Sequence, residues 1–443
     1  MADESKAPQS PESSQPEVSG SLPPPYAAGD SLTSPAKPDA PVPLQASDRL
    51  LQPVADALKL VFKEDLIPEN ADRFIFWIAP IISMTAAITS LGAVAFASWF
   101  PVARDINIGL LFVVGVSALI PLGIVLGGWA TNTHDSVIGA LRSTAQLISY
   151  ETTAGFALVS GLLLAGTLNV RAIVETQRAD HAWYVFLAPV GFFTYLIASI
   201  AETNRAPFDF PDVESELVAG DMTAHRGIRW SLYFLADYAS MIVVASVGTT
   251  LFLGGWLRPF PNVHWLACLE AVPTLFLIAA GAYCVFKGGK QPARAQSLFL
   301  WAVALACFIV AAIFALAYPL SPLPLPKMHE VLYGAFWFLL KISAYIYIFM
   351  WLRFILPRFR FDQLMRLGWH ILIPLALINV VDVGIALALT SEFGANRWLA
   401  MIVTSMATLG AAMLLLRWND KYSATASASL VADSSIAEDP HAG

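Results

Sequence analysis

Residues 200–220, IAETNRAPFDFPDVESELVAG, decide how this chain is read. The stretch carries Glu202, Asp209, Asp212, Glu214 and Glu216 with a single Arg205. Pro207 and Pro211 interrupt any helix through it. A long apolar run lies on each side. Carboxylates pressed between membrane-length segments are costly and point to function by default. The plainer reading is a solvated acidic connection between two spans.

The rest of the chain supplies the context. Of 443 residues, 57% are hydrophobic and 13% charged, and the mean hydropathy is +0.62. This excludes an ordinary soluble protein and predicts an all-α, polytopic membrane protein. Apolar runs of roughly spanning length occur at 74–98, 108–129, 153–169, 183–202, 230–256, 265–286, 298–318, 332–354, 369–390 and 398–416. About ten transmembrane helices are therefore expected. Cys268, Cys284 and Cys307 are too scattered for a metal or cluster motif. The histidines show no paired ligand spacing, and no phosphate-binding glycine loop follows a strand pattern. No metal, haem, flavin, iron–sulfur cluster or nucleotide is expected on this chain.

Residues 1–47 are rich in Pro, Ser, Ala and acids, and read as a disordered tail. The next segment, 48–73, contains an amphipathic interfacial helix and its connection. Val54, Leu58, Val61 and Phe62 share one face, with Asp56, Lys59 and Lys63 toward the other. It either anchors the chain to the surface or lines an entrance for an amphiphilic substrate. Residues 74–256 form the membrane core with an acidic loop at 203–229, 257–331 hold an inserted pair of spans, 332–417 the last spans, and 418–443 a second disordered tail.

Ten spans place both termini on one side. Loops on that side hold Arg142, Arg205, Arg226, Arg229, Lys287, Lys290, Arg294, Arg358, Arg360, Arg366, Arg417 and Lys421. The opposite loops hold only Arg104, Arg171, Arg178, Arg258, Lys327 and Arg397. The bias puts both termini and the acidic loop in the cytoplasm. Glu151, Asp237, Glu270, Lys341 and Asp382 fall inside or at the ends of spans. Each is either a structural ion pair or snorkelling side chain, or part of a proton route. Glu270 lies near an outer end, where the structural reading is preferred.

IAETNRAPFDFPDVESELVAG closely resembles the acidic loop of the H subunit of NADH:quinone oxidoreductase, respiratory complex I. GALRSTAQLISYE at 139–151, LPRFRFDQLMRLGW at 356–369 with IPLALINV after it, QPVADALKLVFKED at 52–65 and LYFLADYASMIVV at 232–244 resemble the same family, in the expected order. The resemblance implies a membrane component at the junction with the hydrophilic arm. Its cytoplasmic surface would help form a quinone chamber with hydrophilic partner subunits, and buried carboxylates would lead toward small and antiporter-like membrane subunits. NAD, flavin and iron–sulfur clusters would sit in partners, quinone would be the substrate, and this chain would not be catalytic alone. A bacterial inner (plasma) membrane location follows.

Carried over residue by residue, Glu202, Arg205, Asp209, Asp212, Glu214 and Glu216 form the chamber and coupling loop. Glu151 and Asp237 become candidates for the proton path, with Asp at 237 where the family usually has Glu. Asp56, Lys59 and Arg142 are candidates at the quinone entrance. Arg353, Arg358, Arg360 and Asp362 set a cytoplasmic loop or meet a partner. Tyr150, Phe208 and Trp230 are read as core or interface aromatics. The family's first span and its basic Gly-Pro segment are not found ahead of residue 52. The pair 265–286 and 298–318 looks inserted and is a candidate to cover that place. Two other readings stand beside this one: the membrane anchor of a related hydrogenase or ferredoxin-linked complex, and a secondary transporter. No internal repeat of the transporter kind is visible.

Overall fold

The computed structural model describes residues 55, 58–64, 66–94, 106–205, 208–209, 225–259, 269–290, 294–317, 326–357, 359–392, 394, 396, 398–415 and 417. Asp56, Asp212, Glu214, Glu216, Arg358 and both tails lie outside the described residues.

The described chain is all helix. It contains α1 (Arg73–Gly92), α2 (Gly109–Ser117), α3 (Leu119–Ala130), α4 (His134–Ala165), α5 (Val170–Ala179), α6 (Tyr184–Leu187) and α7 (Pro189–Glu202). After the acidic loop come α8 (Ile228–Phe252), α9 (Val272–Gly288), α10 (Arg294–Ala317), α11 (Pro326–Ile355), α12 (Phe361–Arg366), a π-helical turn (Leu367–Leu372) and α13 (Ile373–Glu392). A last apolar helix, α14, spans Trp398–Leu415. Among the described residues, nine helical stretches are long and apolar enough to cross a membrane. The fourteen-residue α7 is a shorter apolar helix.

Three expected boundaries move. The span placed at 153–169 is the end of α4, which begins at His134 and runs for 32 residues. Hydropathy hides its first half because Ser136, Ser143, Thr144, Gln146 and Ser149 interrupt the apolar pattern. These side chains point inward and are buried. The span placed at 108–129 breaks at Ala118 into α2 and α3. The span placed at 183–202 breaks at Ala188, where Pro189 opens α7 in the first turn that proline tolerates.

Local chemistry sets the other ends. The Asp72 carboxylate caps α1 by accepting from the Phe74 and Ile75 amides at 3.0 and 3.3 Å. Gly166, at φ +64°, closes α4 with its amide on the Leu162 carbonyl at 2.8 Å. Glycines let the helices approach closely: a Cβ on Gly123 would overlap Ser83 of α1, and one on Gly128 would overlap Ala140 of α4.

Helices α4, α7, α8, α11 and α13 contribute to the main buried cluster, which includes Tyr150, Tyr195, Phe252, Phe338 and Val383. Helices α1, α3, α4 and α8 build a second cluster around Ile124, Leu147 and Tyr233. The α9–α10 pair, expected from the sequence as an insertion, is peripheral. Only 11% and 17% of its apolar stretches are buried, against 61% for α8. It docks on α11, where Thr274 and Phe314 meet Tyr333 and Phe276 meets Phe336. The principal helical neighbours of α1 are instead α2, α3 and α8, so the inserted pair is not a substitute span beside α1.

Candidate functional site

Helix α4 brings the motifs together. Its inward face places Gln146 beside the end of α7. The Gln146 Nε2 donates to the carbonyls of Ala201 and Phe208 at 2.8 and 2.9 Å. It thus fixes the first turn of the acidic loop to the membrane core. Between those two carbonyls, Asn204 adopts φ +47°. The Phe208 amide closes on the Arg205 carbonyl at 2.8 Å. An Asn tolerates this left-handed conformation better than most residues.

One turn further along α4, Tyr150 is fully buried. Its hydroxyl donates to the Leu364 carbonyl at 2.9 Å. Phe208 stacks against both Tyr150 and Phe359, with centroids 6.4 and 5.5 Å apart. Trp369 Nε1 donates to Ser149 Oγ at 3.2 Å from the π-helical turn. The stretches 139–151, 200–209 and 356–369 therefore form one packed unit. Tyr150 and Phe208 are buried in it, as core aromatics are. Trp230 is half-buried and stacks on Phe234.

Beside this unit lies a small, partly open cavity of about 20 Å³, lined by Glu151, Glu202, Ser117 and Tyr195 among others. That volume holds about one water. The two carboxylates come from α4 and from the last residue of α7. The buried Oε1 of Glu151 has no hydrogen-bond partner among the described residues. Val244 and Val247 of α8 complete the wall. Asp237 is half-buried on the same helix. It lies two turns from Val244, hence on the same face, but it is not in the cavity wall.

The remaining candidates disperse. Arg205 lies 4.2 Å above the Tyr238 ring and donates to its hydroxyl at 3.5 Å. Among the described residues this is a cation–π contact. Asp209 is half-buried. Lys59 lines an open cavity of about 590 Å³ with Leu60, Phe62 and Lys63. Arg142 is not in that wall; its guanidinium sits 6.0 Å from the Phe361 ring centroid. Arg353, Arg360 and Asp362 are exposed near this end of α11 and α12. The Arg360 amide donates to Gln363 Oε1 at 3.1 Å, which helps start α12.

A further corner is built by residues that the motifs do not single out as a site. Arg229 is 1% exposed, with its guanidinium 4.5 Å from the rings of both Phe76 and Trp77. His225 stacks on Phe76 at 4.4 Å. Burial, and then the neighbouring Arg229 charge, push the His225 imidazole down to about 4, so it is neutral at ordinary pH. Gly227, at φ +59°, brings this corner against the carbonyls of Leu60 and Lys63. A GxR pattern just before an apolar run was the available signal for this corner.

Two intramembrane charges have structural roles. Lys341 Nζ donates to the carbonyls of Leu253, Gly255 and Leu257 at 2.6, 2.9 and 2.7 Å. It ties α11 to the turn at 253–257 that follows α8. Glu270 pairs with Arg258 at 3.4 Å.

Residues 43–384, which hold the α4 unit, the acidic loop and most of α13, match the protein family described as NADH dehydrogenase. The chain is 45% identical over 338 residues to the second NADH-quinone oxidoreductase H subunit of Solibacter usitatus (strain Ellin6076), covering 75% of this chain and 84% of that protein. The chain belongs to the H-subunit family of NADH-quinone oxidoreductase. The first such H subunit of Koribacter versatilis (strain Ellin345) is 42% identical, covering 74% of this chain and 79% of the relative. The H subunit of Rickettsia canadensis (strain McKiel) is 38% identical, with 77% and 82% covered. As a member of this family, the chain is a membrane component of complex I, a multi-subunit oxidoreductase. Nothing favours the hydrogenase or transporter readings.

Proposed function

We propose that this subunit forms part of the quinone chamber and couples quinone reduction to proton translocation. The observation that carries the reading is the shared cavity of Glu151 and Glu202 directly behind the acidic loop. Reduction of a quinone to quinol consumes two electrons and two protons. Carboxylates held in partial burial respond to such a change, because their charge state depends on neighbouring charge. Gln146 and Tyr150 hold the loop and the 356–369 segment on the same rigid helix. Movement of the loop is therefore communicated to the pocket through α4.

Glu202 and Glu151 act as the first coupled pair on the proton path, with Asp237 along α8. Asp209, Asp212, Glu214 and Glu216 form the loop facing the chamber, with Arg205 held at its base. Asp56, Lys59 and the helical turn at 58–62 border the quinone entrance. Leu58, Val61 and Phe62 leave their apolar surfaces exposed there, as a helix lying in the membrane interface requires. Arg142, Arg353, Arg358, Arg360 and Asp362 position the adjoining loop or meet a hydrophilic partner. The redox cofactors reside in partner subunits, and the chain does not reduce quinone alone. The complex resides in the bacterial inner membrane with the acidic loop and both termini in the cytoplasm.

The test is Glu202→Gln and Glu216→Gln in the assembled complex. Each lowers NADH:quinone reductase activity at least about tenfold, roughly 1.4 kcal/mol. NADH oxidation by an artificial acceptor stays intact. Full quinone activity in both variants contradicts the reading.

A further inference from the structure

Tyr195, Ser199 and Glu202 stand at i, i+4 and i+7 along α7, so all three share one face of the helix. Tyr195 and Glu202 line the carboxylate cavity. Ser199, between them, is fully buried. Its hydroxyl donates to the Leu196 carbonyl at 2.8 Å, which uses its one proton. Its lone pairs are left for a second contact at 3.2 Å, the hydroxyl of Tyr345 on α11. Tyr345 is therefore the donor in that pair.

Tyr345 is 1% exposed and packs against Phe192 of α7 and Phe349 of its own helix. A phenylalanine would fill this apolar space, and a phenol hydroxyl sealed from water is costly unless bonded. The bond to Ser199 offsets that cost. The principal helical neighbours of α7 are α4, α8 and α13, so the Tyr345 hydroxyl reaches α7 from a helix outside that set. Helix α8 makes room for it. An added Cβ on Gly248 would lie 2.8 Å from Tyr195 Cε1 and 3.2 Å from Tyr345 Cε2. Both rings thus lie against the α8 backbone at one glycine. The Tyr195 hydroxyl donates to the Val244 carbonyl at 2.9 Å. The Glu202 carboxylate is near enough for its charge to act on both hydroxyls.

Helix α11 is anchored one turn earlier, on the same face, where Lys341 meets the three carbonyls of the turn after α8. Its other end runs into the 356–369 segment, which Tyr150 ties to α4. Helix α11 therefore joins that segment to the last turn of α7.

We propose that Tyr345 is a positioning residue for the coupling carboxylates: through Ser199 it sets where Glu202 stands in the cavity, and it carries displacement of the 356–369 segment to that residue. This role rests on the coupling function proposed for Glu202. Tyr345 itself is not in the cavity wall; it acts through α7.

Steady-state kinetics of the assembled complex in membranes test this. Tyr345→Phe keeps the ring and removes the hydroxyl. It lowers kcat for quinone reduction about fivefold, the rate equivalent of one ordinary hydrogen bond, and leaves KM for quinone unchanged. Ser199→Ala does the same, and the double variant is no slower than the slower single. In a Glu202→Gln background, Tyr345→Phe has no further effect. Tyr333→Phe is the control. It removes a hydroxyl from the same helix, one that meets Thr274 and the Phe314 carbonyl, and leaves kcat at the wild-type value. Co-purification of the partner subunits checks assembly. A wild-type kcat in Tyr345→Phe, a raised KM with kcat intact, or losses that multiply in the Ser199 double variant overturn the proposal. If Glu202→Gln lowers activity and Tyr345→Phe does not, the role of Tyr345 alone falls. Full activity in Glu202→Gln removes the role given to that carboxylate, and this one with it.

Discussion

The hydroxyl of Tyr150 donates to the backbone carbonyl of Leu364 at 2.9 Å, joining positions 214 residues apart in sequence. Tyr150 is fully buried, so the carbonyl has no alternative access to solvent through that site. Tyr150→Phe keeps the ring packing on Phe208 and removes one hydrogen bond. The expected loss is about 1 kcal/mol. Limited proteolysis checks it: cleavage within 356–366 is faster in the variant, while the rest of the subunit is cut as in wild type.

Gln146 is a more severe position because one amide group serves two carbonyls. Gln146→Leu leaves the carbonyls of Ala201 and Phe208 buried without that donor, at about 1–3 kcal/mol each. The acidic loop then detaches at its base. Hydrogen exchange at 203–209 rises, and quinone reductase activity falls with it. Gln146→Glu removes the donor and adds a buried charge, so it is at least as damaging. Wild-type exchange in both variants contradicts the assignment of Gln146 as the clasp.

Gly227 combines φ +59° and ψ −128° with close approach to the Lys63 carbonyl, which an added Cβ would meet at 3.2 Å. An alanine there incurs backbone strain of about 1–3 kcal/mol and crowds the 58–62 helix. Gly227→Ala therefore loosens that helix from the core. Trypsin cleavage at Lys59 and Lys63 accelerates, whereas cleavage in loops remote from this corner is unchanged.

His225 gives the corner a pH dependence. Burial and Arg229 hold its imidazole at about 4, against 6.5 unperturbed. In the folded chain it stays neutral, while the unfolded chain binds a proton below about 6.5. Its contribution to stability is full above the unfolded value and is lost as pH falls from about 6.5 to about 4. The slope is about 1.4 kcal/mol per pH unit inside that window. Thermal unfolding of the complex at pH 7 and pH 5 checks the sign. His225→Phe, which keeps the stacking on Phe76, narrows the difference between the two.

The membrane spans were largely legible because lipid demands long apolar stretches, as in α9 and α10. The first half of α4 was not, because Ser143, Gln146 and Ser149 are polar residues turned inward. Hydropathy averages a helix and cannot tell an inward polar face from a wet loop. The acidic loop and its motif were visible in residues 200–220. The pairing of Glu151 with Glu202 was not, since it depends on how α4 crosses α7. Arg205 illustrates the same limit. Its neighbours in space include the ring of Tyr238, 33 residues away, which the local sequence does not announce. For Lys341 the sequence leaves a structural role and a proton route both open. Three carbonyls of the turn after α8 give it a structural role that no local pattern announces.

Coupling through this subunit requires that Glu151 and Glu202 work as one unit across their shared cavity. A double-mutant cycle on quinone reductase activity measures this, using Glu151→Gln, Glu202→Gln and the double variant in the assembled complex. If the two act together, each single change lowers activity at least about tenfold and the double variant is no slower than the worse single. Effects that multiply in the double variant, or wild-type rates in both singles, are incompatible with a shared unit.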